Sequence, residues 1–152
     1  MLPNTVERVP LNTSDEINER IAREINRRVN FYAANPIGIE RRLRELDEEW
    51  DIERVLEANA ASVAFAGTVL AATVHKRWLM LPVLVTGFLF QHAVQGWCPP
   101  VPILRRMGYR TAREIETERI ALKALRGDFG QIGPADMERD NIASHALQAA
   151  RL

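Results

Sequence analysis

Cys98 is the only cysteine in the 152-residue chain, which excludes an internal disulfide framework and any metal site built from several cysteines. Net charge is missing too: 20 Lys and Arg balance 20 Asp and Glu, so no bulk basic field recruits nucleic acid. The opening Met1-Leu-Pro-Asn-Thr-Val-Glu-Arg8 has no apolar core and does not read as a secretory signal peptide. No internal repeat, long low-complexity tract, phosphate-cradling glycine loop or triad-like motif stands out. A mean hydropathy of −0.18 is low for a membrane protein, and the length is that of one domain.

Charge is scarcest between Ala58 and Trp97, where the only fixed charges are Lys76 and Arg77, side by side near the middle. The pattern predicts two apolar arms joined by a charged turn at residues 75–78. The first arm, Ala58 to Val74, is rich in Ala and close to the shortest helix that crosses a hydrocarbon core about 30 Å thick. The second opens at Leu79 and softens through Gln91, His92 and Gln95; Pro82 falls in its first turn, where amide groups lack helical partners anyway. Periodicity alone fits either a membrane hairpin or the core of a soluble helical bundle.

Charge placement favours the hairpin. Arg41, Arg42, Arg44 and Arg54 precede the arms and Arg105, Arg106, Arg110 and Arg113 follow them, against Lys76 and Arg77 at the turn. The excess of cations outside the arms puts both termini in the cytoplasm. Trp78 and Trp97 then fall at opposite interfaces, with Lys76 and Arg77 beside the first and Arg105 and Arg106 beyond the second. Ala60, Ala64, Gly67 and Ala71 form a stripe of small residues on one face of the first arm, suited to close helix packing in lipid against the second arm or another chain.

The flanks are amphipathic. After an irregular lead-in over 1–12, with Pro3 and Pro10, Thr13-Ser-Asp-Glu16 fits a capping box. The helix that follows carries Ile17, Ile21, Ile25 and Val29 along one side and Glu16–Arg20, Glu19–Arg23 and Glu24–Arg28 at i,i+4 spacing. A break at Asn35-Pro36-Ile-Gly38 precedes a helix with Ile39, Leu43, Leu46 and Trp50 on one face, and Asp51 is placed to cap the next. Past the arms, Pro99, Pro100 and Pro102 predict a stiff, extended exit. Thr111-Ala-Arg-Glu114 is a second capping box, opening a helix with Ile115, Leu122 and Leu125 on one side and Gly127 at its end. The chain is thus expected to be all-α: amphipathic cytoplasmic helices over 13–57, a transmembrane hairpin over 58–97, a proline-rich exit and amphipathic helix over 98–129, and a weakly ordered tail over 130–152.

The apolar pair, the motif Gly96-Trp97-Cys98-Pro99 and the short apolar segment ending at Gly108 together resemble the YgaP-like transmembrane domain, over about residues 50–110. The resemblance implies a bacterial inner-membrane helical hairpin that associates as a dimer. Some members of that family are fused to a rhodanese sulfurtransferase domain; this chain carries no such module and has helical extensions on both sides instead.

Cys98 is the one candidate nucleophile, with Arg105 and Arg106 close enough in sequence to lower its pKa for persulfide or disulfide exchange. No base lies at useful spacing and no second cysteine resolves an oxidised Cys98, so a small buried residue under the prolines is the plainer reading. His75 and His92 invite a pigment or haem ligand. They sit at the turn and roughly 20 Å down the second arm, so one chain cannot clamp a macrocycle between them. A lone axial ligand or pairing across a dimer is what geometry leaves, against His92 as a polar interhelical contact. We therefore expect no cofactor and no metal. The expected protein is a non-catalytic inner-membrane protein whose partners are the lipid bilayer and either itself or a larger membrane complex. A sulfur or redox relay through Cys98 and a soluble bundle are the alternatives.

Overall fold

The structure is a computed structural model that describes residue 4 and residues 6–129; the tail over 130–152 lies outside the described residues. Every regular element among them is helical. The helices are α1 (Arg8–Leu11), α2 (Asp15–Ala34), α3 (Ile39–Glu48), α4 (Ile52–Thr73), α5 (Met80–Gln95), α6 (Val101–Met107) and α7 (Ala112–Arg126), with short 3-10 turns at Pro36–Gly38 and Lys76–Leu79. The chain divides into two compact units, Met1–Glu24 with Glu49–Ile115, and Ile25–Glu48 with Glu116–Leu152.

The first unit is built around α4 and α5. Asp51 accepts a hydrogen bond from the Arg54 amide at 2.7 Å and caps α4 as its position predicts. Helix α4 runs to Thr73, the chain turns through His75, and α5 begins at Met80 with Pro82 in its first turn. A small apolar core lies where the start of α4 meets the exit from α5: Val9, Ile52, Leu56, Cys98 and Val101 are buried together. The lead-in is not wholly irregular, because Arg8–Leu11 forms one helical turn whose Val9 enters this core. Pro10 fits there because the amides of a first turn need no helical partner.

The exit after α5 also differs from the extended strut that three prolines suggest. Helix α6 starts at Val101 directly after Pro99-Pro100, with Pro102 in its first turn, where proline's fixed φ favours a helix start and its missing N–H goes unused. Thr13 likewise departs from expectation: its hydroxyl donates to the Val9 carbonyl at 2.8 Å, and Ser14 takes the cap position, its carbonyl accepting from the Ile17 and Asn18 amides. The second capping box forms as read. The Thr111 amide donates to Glu114 Oε2 at 2.7 Å, and the Glu114 amide donates to Thr111 Oγ1 at 3.3 Å.

The second unit buries Ile25 and Tyr32 of α2, Ile39, Leu43 and Leu46 of α3, and Leu122 of α7. Glu118 is fully buried, and Arg42 and Arg28 hold it at 2.8 and 3.5 Å. Two expected core positions fall outside. Helix α3 stops at Glu48, so Trp50 lies beyond it and is exposed. Leu125 is also exposed, and α7 ends at the next residue, Arg126, with Gly127 just past it at φ +91°.

Gly96 ends α5 in the left-handed region at φ +76°, and a Cβ there would meet the Arg8 carbonyl oxygen at 2.5 Å. Both the conformation and the close backbone contact require glycine. Gly96→Ala is expected to cost about 2 kcal/mol or more, while Gly87→Ala, in the open interior of α5, should be neutral or slightly stabilising. Thermal melts of the two variants check the contrast.

Candidate membrane face and the Cys98 exit

The small-residue stripe of α4 faces α5. A Cβ on Gly67 would lie 2.8 Å from Pro82 Cδ and 3.2 Å from Leu81 Cβ, so the backbone of α4 approaches α5 as closely as glycine permits. Ala60, Ala64 and Ala71 are half-buried along the same side. Facing positions of small residues let two helices gain dispersion contacts over their length. At one end Arg8 fastens the pair, donating to Glu53 at 2.7 Å and to the Ala93 carbonyl at 3.0 Å. At the other, His75 Nδ1 accepts from the Arg77 amide at 3.0 Å and shapes the turn.

The outer faces of the same helices are bare. Phe65, Val69, Met80, Val83, Leu84 and Phe90 are all exposed, Phe65 and Phe90 by more than 70%. The helical runs ending at Thr73 and at Gln95 each hold an apolar stretch long enough to cross a membrane, and only 17% and 6% of those stretches are buried. Trp78 and Trp97 are both part-exposed, with Lys76 and Arg77 exposed beside Trp78.

Arg105 is not at a surface. It is completely buried, gripping Glu114 through both guanidinium NH₂ groups at 2.7 and 2.8 Å and reaching Asn18 Oδ1 at 2.9 Å and the Tyr109 carbonyl at 3.1 Å. A planar guanidinium suits this paired grip, so the interfacial place read for Arg105 is corrected; Arg106 does stay exposed. Burial alone would raise the Glu114 carboxyl, but the Arg105 guanidinium and the Thr111 amide outweigh it and hold the group below its ordinary value. Nothing in the spacing reveals this ion pair. The capping box at Thr111 was legible, but its glutamate serves Arg105 as well.

Cys98 is 5% exposed within the apolar core. Cys98 also lines an apolar groove of about 250 Å³ with Ala60, Val63, Val85, Phe88 and Pro100. Burial pushes the thiol pKa up, the opposite of what nucleophilic chemistry requires, and Arg105 is turned to Glu114. His92 is 5% exposed, and neither ring nitrogen is hydrogen-bonded to another residue. His75 sits at the turn, as its place in the sequence implies. Among the described residues no cluster of His, Cys, Asp or Glu could hold a metal ion.

No protein-family model, curated protein or solved structure matches the chain. The likeness to the YgaP-like domain therefore rests on its motif residues alone.

Two outcomes follow from this geometry. Because the Glu114 carboxyl is depressed in the fold, its contribution is present above the ordinary value of 4.5 and is lost as pH falls below it. Glu114→Gln, which strands the buried Arg105 charge, should cost about 3–5 kcal/mol at neutral pH and flatten the acid limb of a stability–pH curve. Cys98 should alkylate far more slowly than a free thiol across pH 7–9 and react at the ordinary rate in denaturant, which a maleimide time course measures.

Proposed function

We propose that this is a non-catalytic integral protein of a bacterial inner membrane, with both termini in the cytoplasm, that works by assembly: as a self-associating hairpin or as an accessory subunit of a larger membrane complex. The observation that carries this reading is the bareness of α4 and α5, whose apolar stretches are 17% and 6% buried. Contiguous apolar surface of that extent is what soluble monomers avoid, and lipid tails cover it at no cost. The uncharged part of α4, residues 58–73, is about 24 Å long at the helical rise, near the short end of what crosses a hydrocarbon core of about 30 Å.

Association would use the outer faces. The stripe of Ala60, Ala64, Gly67 and Ala71 is taken up by α5, so a second copy or a partner subunit would meet the faces carrying Phe65 or Phe90. The sulfur-relay alternative loses support from the burial of Cys98 and the pairing of Arg105 with Glu114.

Alkaline carbonate treatment of membranes from cells making the full chain tests the reading. The protein should stay in the pellet and need detergent for release. Its appearance in the carbonate supernatant would overturn the membrane assignment in favour of a soluble bundle whose apolar faces are covered by a partner.

A further inference from the structure

Within the unit that contains α4 and α5, most guanidinium groups are engaged inside the protein. Arg8 holds Glu53, Arg105 holds Glu114, Arg110 holds Glu49, and Arg20 reaches the carbonyls of Arg105 and Arg106. Arg54 differs. Its guanidinium lies 4.2 Å from the ring centroid of Trp50, and among the described residues no carboxylate pairs with it. Both side chains are exposed, Trp50 by 45%. A cation over an indole face is held in place while its edge N–H groups remain free to donate.

The position of this pair on α4 matters as much as its chemistry. Steps of three and four residues place Arg54 on the same helical face as Ala58, Ala61, Phe65 and Val69, all exposed. That face points away from Gly67 and hence from α5. Arg54 therefore stands at the foot of the bare apolar stripe, one turn below its first uncharged residue. Here a long cationic side chain reaches for phosphate while its stem stays on apolar surface, and tryptophan favours the same depth. Trp97 lies at the same end, because Cys98 packs with Ile52 and Leu56 at the start of α4. Trp78 marks the other end, beyond the turn.

Building on the membrane reading above, we infer that the Trp50–Arg54 stack is a headgroup anchor. Its guanidinium binds phospholipid phosphate, preferring anionic lipid, and it fixes the depth of α4 at the end nearest Trp97. It takes the interfacial role that charge counting gives to Arg105.

Trp50, Trp78 and Trp97 are the only tryptophans, so three variants that each keep one and carry phenylalanine at the other two isolate each indole. The full chain is reconstituted into vesicles of phosphatidylcholine with and without phosphatidylglycerol. Quenching is then compared between lipids brominated high on the acyl chain and aqueous iodide. Trp50 should lose most of its intensity to the brominated lipid and little to iodide. Its emission should shift when phosphatidylglycerol is added, and Arg54→Gln should abolish that shift while Trp78 emission stays unchanged. Quenching of Trp50 by iodide alone, with Trp78 and Trp97 quenched by lipid, would overturn the anchor and leave the membrane reading standing. So would a phosphatidylglycerol response that survives Arg54→Gln. Iodide quenching of all three, with none from lipid, would overturn both readings.

Discussion

The close approach of α4 to α5 at Gly67 governs what the rest of the chain must do. With Leu81 and Pro82 seated against a residue that has no side chain, the two helices satisfy each other along one narrow seam and nowhere else. The apolar stretches of both helices stay largely uncovered outside it. A packed water-soluble core would wrap that surface with further helices. Val9 and Val101 join the small cluster at one end, and among the described residues Phe65 and Phe90 stay exposed.

That end is organised by buried charge as much as by apolar contact. Arg105 is fully inaccessible there, as Glu118 is within the second unit, and each is matched by carboxylate or guanidinium groups through hydrogen bonds. Such pairs contribute little net stability compared with apolar residues of the same shape, yet removing one member leaves a stranded charge at high cost. Arg105 ties Asn18 of α2 to the turn at Tyr109 and to the first turn of α7.

The elements with strong local signals were legible in the sequence. Asp51 capping α4, the Thr111–Glu114 box, Gly127 at the end of α7, and the turn at His75 follow from rules that act over a few residues. The stripe of small residues was also visible, although its partner was not, because sequence spacing defines a face and not what meets it. Reading failed where residue type was taken for location. Arginines beside an apolar arm suggest headgroup contacts, but Arg105 is drawn inside by Glu114 nine residues on, and Arg54 keeps its place at the surface by stacking on Trp50. Prolines suggested an extended exit, yet their position decides their effect, and in the first turn of α6 they start a helix. His92 reads as a polar group seeking a partner, and it is buried without one.

The contact between Gly96 and the Arg8 backbone has a consequence for the order of events during synthesis. Residues 8 and 96 are 88 positions apart, so at about 5–20 residues per second the first helical turn waits on the order of ten seconds for its docking site to be made. Throughout that interval Val9 has no cluster to enter and Arg8 has no Ala93 carbonyl to hold. The amino-terminal segment of the nascent chain is therefore open to whatever factor engages it first, and the final clasp closes only after the second apolar arm has left the ribosome.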